Sequence, residues 1–274
     1  MSVRILYIGE IVGRVGVFAV KKTLPSLRDR FNPDFIIANA AGATGGSGIG
    51  KTHSIYLRKL GIDVITTGES AFFKKDIVEA FPVSPWLLRP SNHPPGVPGR
   101  GHRIYHSRVG DVAVIQLLGQ AGFGRIHLGN PFHALDSLLE TVGTNVPVVF
   151  EFRAATTAEK NAMFRHTDGR VSALIGSYAR SLTSDARVSA SGTAFITDAG
   201  MTGSTLSVCG MDAQMKIREF MSGIPVWAKD ATALPEVQGC SIEIGDDGKA
   251  RSIEAFRVAC KEEFHDRTGN SDQA

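Results

Sequence analysis

The chain is poor in cysteine, and the three it has, Cys209, Cys240 and Cys260, are odd in number and form no CxxC pair. That argues against a disulfide framework and against the usual zinc-ligand spacings, and it suits reduced thiols in a cytoplasmic protein. Runs of like charge are also missing. No block of about five or more basic or acidic residues occurs, and 30 basic against 27 acidic residues leave a net charge of only +3. Such a balance gives no electrostatic footprint for nucleic acid, no basic arm and no acidic tail. Long apolar stretches are absent too. None approaches the roughly 18 residues a membrane span requires. The first, over residues 3–8, is short, ends at Gly9-Glu10 and lacks a small-residue cleavage pattern, so neither a signal peptide nor a membrane anchor is expected. What is present reads as ordinary globular protein, with 43% hydrophobic and 21% charged residues. A chain of this length can bury roughly three quarters of its unfolded surface, so stability requires no disulfide or structural metal.

Short β-branched runs bounded by Gly, Asp or Pro predict buried strands over residues 3–8, 35–38, 64–66, 112–117, 146–150, 171–175 and 194–196. Helical patterns lie between many of them, at 17–28, 51–60, 132–140, 157–165 and 211–221. Strands alternating with helices imply an α/β fold with a buried, partly parallel sheet. Toward the C-terminus, 237–244 and 250–255 flank Gly245-Asp246-Asp247-Gly248 and read as a hairpin. The sheet should therefore be mixed. Residues 89–102, with Pro90, Pro94, Pro95 and Pro98, read as a loop within one domain of residues 1–258. Residues 259–274 read as a polar, disordered tail.

Ligands of open α/β sheets gather at the carboxyl ends of the strands. Here those ends read Gly9-Glu10, Asn39-Ala40-Ala41-Gly42, Thr67-Gly68-Glu69-Ser70, Glu151-Phe152-Arg153 and Gly176-Ser177-Tyr178-Ala179-Arg180. None carries a histidine; all eight lie elsewhere without HxH or HExxH spacing. Ser70 has no His/Asp partner nearby in sequence, so a serine nucleophile is not expected. One formal phosphate-loop match, GxxxxGK[ST], occurs at 45–52 and ends in Lys51-Thr52. It is badly placed: Ala41-Gly42-Ala43-Thr44 separate it from the preceding strand, and no clear magnesium-binding Asp follows. A Gly-rich turn that starts a helix near the sheet explains it as well. A P-loop nucleotide-binding protein stays open as one alternative. The glycines at 9, 13 and 16 do not have the dinucleotide-loop spacing.

The order of Arg4-Ile-Leu-Tyr-Ile-Gly-Glu-Ile-Val-Gly-Arg, Asp34-Phe-Ile-Ile-Ala-Asn, the glycines through Ile49, and Asp63-Val-Ile-Thr-Thr-Gly resembles one family. So do Leu88-Arg-Pro-Ser-Asn, Pro98-Gly-Arg-Gly, Asp168-Gly-Arg-Val-Ser-Ala, Gly192-Thr-Ala-Phe-Ile-Thr-Asp and Gly200-Met-Thr-Gly. The family is the YmdB-type branch of bacterial calcineurin-like metallophosphoesterases, and the resemblance runs unbroken over about residues 3–257. It implies a four-layer αββα sandwich of two mixed sheets, a homo-oligomer, and in intact members phosphodiester hydrolysis by two metal ions. It also implies where the metal ligands should stand, and there this chain departs. A ligand Asp is replaced by Glu10 and a bridging Glu by Ala41. An Asn-His pair, ligand and catalytic acid, becomes Glu69-Ser70. One ligand His becomes Arg153, and two more become Tyr178 and Arg180.

Two-metal sites need a bridging carboxylate or hydroxide, and Ala41 supplies no side-chain oxygen. At an effective dielectric near 20 and about 5 Å, each Arg would repel a dication by roughly 6–7 kcal/mol, which approaches the binding energy of a micromolar metal, about 8 kcal/mol. No metal or other cofactor is expected. Instead Arg153 and Arg180 should lie where metals lay, paired with Glu10, Glu69 and Glu151, since guanidinium grips carboxylates bidentately. The expected function is that of a catalytically inactive relative, a scaffold or regulatory protein acting on a protein partner. An open cluster could bind an anion through Arg14, Lys51, Arg153 and Arg180. The other alternative is an active phosphoric diester hydrolase with a rebuilt metal site.

Overall fold

In the computed structural model, which describes residues 2–123, 128–143 and 146–265, alternation along the first strand sets the layers. In β1 (Val3–Ile8), Ile5 and Tyr7 face a core shared by two sheets, while Leu6 and Ile8 face a core shared with helices. The period-2 geometry of a strand makes this two-sided burial possible, and the unbroken apolar run makes it favourable.

The chain continues through β2 (Glu10–Ile11), α1 (Gly13–Phe31), β3 (Phe35–Asn39), α2 (Lys51–Lys59), β4 (Val64–Thr66), α3 (Lys75–Ala80) and β5 (Leu87–Leu88). The second half begins with β6 (His102–Ser107), β7 (Gly110–Leu118), α4 (Pro131–Val142), β8 (Val148–Arg153), α5 (Thr157–Thr167), β9 (Ala173–Ser177), β10 (Arg187–Val188) and β11 (Ala194–Ile196). It closes with β12 (Met201–Ser204), α6 (Ala213–Ser222), β13 (Pro235–Ile244) and β14 (Ala250–Ala259).

One sheet has eight strands in the order β2-β12-β13-β1-β3-β4-β5, with β14 on β13; the other has six, β10-β11-β9-β8-β7-β6. β1, β3, β4 and β5 run parallel, as do β7, β8, β9 and β11. The carboxyl ends of both parallel sets supply the loops of the site. α1, α2 and α3 cover the outer face of the larger sheet, and α4 and α5 that of the smaller. This is the four-layer αββα sandwich.

Several boundaries move. The proline-rich loop ends at Gly101, because 102–107 pairs with β7 as an antiparallel edge. The first helix starts four residues early, at Gly13. The hairpin around Gly245 is longer than its apolar pattern and carries β14 to Ala259. The tail expected from 259 therefore does not begin there: Cys260 N–H donates to Pro235 O, Lys22 pairs with Glu262, and Phe264 packs edge-on against Phe18. Residues 266–274 of that expected tail lie outside the described residues.

Candidate functional site: an arginine–glutamate quartet

Glu10 opens β2, held by its N–H to Gly200 O, and its side chain is buried. Arg153 ends β8 and is 1% exposed, among the largest fully buried side chains of the protein. Its Nη1 donates to Glu10 Oε2 at 2.7 Å, its Nη2 to Glu69 Oε1 at 2.8 Å, and its Nε to Glu69 Oε2. The pairing with Glu69 is the bidentate fork that suits guanidinium. Arg180 enters from the loop after β9. Its Nε and Nη2 donate to Glu10 Oε1 at 3.0 and 2.6 Å, its Nη2 also to Gly46 O, and its Nη1 to Cys209 O at 2.7 Å. Each guanidinium nitrogen thus has a protein acceptor, and all four carboxylate oxygens have a guanidinium donor. Two negative and two positive charges balance.

The backbone is shaped to permit this. Tyr178 and Arg180 both have positive φ, +107° and +54°, unusual for residues with a side chain. The turn lays the Tyr178 ring against Arg153, with Cζ 5.1 Å from the ring centroid, and against Phe123. Gly42 leaves room for the pairing: a Cβ there would stand 3.0 Å from Arg180 Nη2 and 3.1 Å from Glu10 Oε1. Gly68, at φ +59°, would place a Cβ 2.7 Å from Arg153 Cδ.

Burial alone would push the Glu10 carboxyl upward, but Arg153 and Arg180 outweigh it and hold it down at about 2. Burial likewise works against the charge on Arg153, and Glu10 and Glu69 overcome it, so its pKa is raised. The same balance, with Glu10 as the partner, raises Arg180.

Glu151 does not join the arginines, contrary to expectation. It lies two residues before Arg153 on the same strand, roughly 7 Å deeper at strand rise. There it accepts from Asn39 Nδ2 at 2.7 Å, Ser177 Oγ at 2.9 Å, Gln116 Nε2 at 3.1 Å and Thr66 Oγ1. With neutral donors around it, burial raises its pKa. Ala41 is buried and presents only a methyl group, and Ser70 is buried at the end of a short 3-10 turn.

Lys51 and Arg14 are both exposed. Lys51 begins α2, with its N–H donating to Asp76 Oδ2 at 2.8 Å. Arg14 lies on the first turn of α1, where its charge helps depress His53 beyond the effect of burial. Of the four basic residues expected to share an anion, Arg153 and Arg180 have every guanidinium nitrogen engaged by a protein acceptor. The backbone hydrogen bonds weigh against the phosphate-loop reading. Such a loop needs free backbone N–H groups, yet those of Gly48, Gly50 and Lys51 donate to Ala41 O, Thr44 Oγ1 and Asp76.

Sequence reasoning missed a second buried ion pair beside the first. Lys160 Nζ donates to Asp198 Oδ2 at 2.9 Å, both side chains being at most 2% exposed. Asp198 also accepts from the N–H groups of Ala179 and Gly200, and so ties the Arg180 loop to the loop before β12. Burial raises the Asp198 pKa, with Lys160 opposing. The available signal was a lysine on the helix face that also carries Met163, Phe164 and Thr167.

The fold family implies two metal ions, and the donor set does not fit them. Every oxygen of Glu10 and Glu69 faces a guanidinium, and among the described residues no group of three or more His, Cys, Asp or Glu could hold a metal. A dication would have to displace fixed cations that hydrogen bonds already hold.

Comparison with known proteins places these features. The YmdB-like protein family matches residues 6–256. A 2',3'-cyclic-nucleotide 2'-phosphodiesterase of Bacillus subtilis (strain 168) is 36% identical over 258 residues, 93% of this chain and 96% of that protein. A hypothetical protein from Thermus thermophilus superimposes with a TM-score of 0.87 at 31% identity, over 93% of this chain and 99% of that one. A novel phosphatase of Mycoplasma pneumoniae gives 0.90 at 27% identity, over 94% of each chain.

Proposed function

The chain belongs to the YmdB-like protein family, related to bacterial phosphodiesterases and phosphatases, and from that premise we propose that it is a non-hydrolytic member acting as a scaffold or regulatory protein. One observation carries the reading. Arg153 and Arg180 engage all four oxygens of Glu10 and Glu69, and every guanidinium nitrogen is itself engaged. A closed, charge-balanced quartet offers neither oxygens to a metal nor a net positive field to a phosphate. The likeness to a cyclic-nucleotide phosphodiesterase then concerns the frame, and the αββα layers keep their surfaces available to a protein partner.

The test uses the full chain, purified from cells grown with manganese and iron. Elemental analysis should find metal far below one per chain. Hydrolysis of a 2',3'-cyclic nucleotide and of bis(p-nitrophenyl) phosphate, with added Mn²⁺, should stay at the protein-free level. Stoichiometric metal together with turnover that Glu10→Ala abolishes would replace this reading with that of a rebuilt active site.

A further inference from the structure

The quartet lies at the carboxyl ends of the strands. A second group of arginines stands at their amino ends, roughly 16 Å away along β3. There a cleft of about 650 Å³ opens between α1, α2, the starts of β3 and β4, and the β6–β7 turn. Three guanidinium side chains line it from three elements: Arg28 in the last turn of α1, Arg58 in the last turn of α2, and Arg108 in the β6–β7 turn. Backbone carbonyls fix two of them. Arg28 Nη2 donates to Leu60 O at 3.2 Å and Gly61 O at 3.0 Å, and it lies so close over Gly61 that a Cβ there would stand 2.1 Å from it. Arg58 Nη1 donates to Ile62 O at 2.9 Å and to Asp63 Oδ1 at 3.1 Å. The carboxylates of the cleft are committed to the sheet. Asp34 Oδ2 accepts from Arg4 N–H and Asp63 Oδ2 from Ile36 N–H, both at 2.9 Å, so each clamps the strand beside its own. Arg4 Nε also stands 3.8 Å from Asp34 Oδ2.

We propose that this cleft binds a phosphate-bearing anion of nucleotide size. Charge decides the sign of the ligand. Arg28, Arg58 and Arg108 outnumber Asp34 and Asp63, and His106 at the rim is paired with Asp111. Among the described residues, Nε and Nη1 of Arg28, Nε and Nη2 of Arg58, and all of Arg108 donate to no protein acceptor. The quartet is the contrasting case, because there carboxylates neutralise each guanidinium. A guanidinium held by carbonyls keeps its charge, and its remaining N–H groups form the planar fork that matches phosphate oxygens. Fixing two of the forks in advance lowers the ordering cost of binding. The helix ends facing the cleft are C-terminal, which disfavours an anion. Their carbonyls are partly capped, however: Arg28 takes those of Leu60 and Gly61 after α2, and Asn32 N–H takes Arg28 O at the end of α1. The volume lies within the roughly 300–1,000 Å³ of small-molecule sites, far more than one phosphate fills. The inference goes beyond the scaffold reading and holds whether or not the quartet is hydrolytically silent.

The test is isothermal titration calorimetry of the full chain at low salt and without divalent metal, using inorganic pyrophosphate and, separately, ADP. At least one of them should bind once per chain with a dissociation constant on the order of 100 µM or below, weakening as salt rises. Tighter binding of ADP would assign the rest of the cleft to the nucleoside, and equal affinities would assign recognition to the phosphates. Arg108→Glu removes no protein contact among the described residues. It should weaken binding at least about 10-fold while far-UV circular dichroism and the urea midpoint stay at wild-type values. Arg28→Met/Arg58→Met should abolish binding. Arg218→Glu, an exposed position on α6, makes the same change of charge outside the cleft and should bind as wild type does. No binding of either anion at about 1 mM, affinity indifferent to Arg108→Glu, or an equal loss in Arg218→Glu would each overturn the proposal.

Discussion

Replacing Arg153 by methionine removes the central cation of the quartet while keeping most of its volume. Arg153→Met leaves Glu69 without a guanidinium and Glu10 with Arg180 alone. Removing one partner of a buried pair costs about 3–5 kcal/mol, because the remaining charge stays desolvated. For a chain of this size the urea midpoint should fall by roughly 1–2 M with an unchanged m-value. The double variant Arg153→Met/Glu69→Gln reduces the quartet to the Glu10–Arg180 pair, which is again neutral. It should be more stable than Arg153→Met by about 1–2 kcal/mol, so that the losses of the two singles do not add, as expected for groups in one network. Urea titrations followed by circular dichroism measure the wild type, the singles Arg153→Met and Glu69→Gln, and the double variant. If Arg153→Met costs less than about 1 kcal/mol, or if the double variant costs the sum of the singles, the guanidinium is not what holds this cluster together, and the argument against metals loses its basis.

Acid should act on the same group. The folded Glu10 pKa is about 2 against an ordinary 4.5, so between those values the unfolded chain takes up a proton that the folded chain does not. Its contribution, about 3 kcal/mol by linkage, is fully present above pH 4.5 and lost as pH falls toward 2. Glu151 and Asp198 are shifted upward and work in the opposite sense, so the measurement is the difference between wild type and Glu10→Gln in urea midpoints from pH 7 down to 3. Lys160→Met should cost about 3–5 kcal/mol and Lys160→Met/Asp198→Asn distinctly less; equal costs in urea titrations would deny the pair its charge. Gly68→Ala places a side chain at φ +59° and against Arg153 Cδ, so a loss of at least about 1–2 kcal/mol is expected from the left-handed conformation alone. A wild-type melting temperature for this variant would show that the loop relaxes freely.

Much of the fold and part of the site were legible before any coordinates. Apolar runs such as 3–8 and 194–196 coincide with β1 and β11, because a strand buried on both faces needs an uninterrupted apolar stretch. The carboxyl ends of those runs named Glu10, Glu69, Arg153, Tyr178 and Arg180, since position at a strand end is a local property. Two-residue strands such as β2 and β5 left no pattern, as they exist only through their neighbours in the sheet.

Pairing was decided elsewhere. Glu10 lies 143 residues from Arg153 and 170 from Arg180, and only the stacking of two sheets brings their loops within hydrogen-bond reach. The carbonyls of Gly46 and Cys209 that complete the Arg180 shell carry no sequence signal, because any residue supplies a carbonyl. Depth separated Glu151 from the arginines, although all three stood together as strand-end residues. The amphipathic pattern of α6 showed that one face is apolar but not which way it turns. Periodicity describes a segment's own geometry, whereas what a side chain meets depends on the packing of elements far apart in the chain.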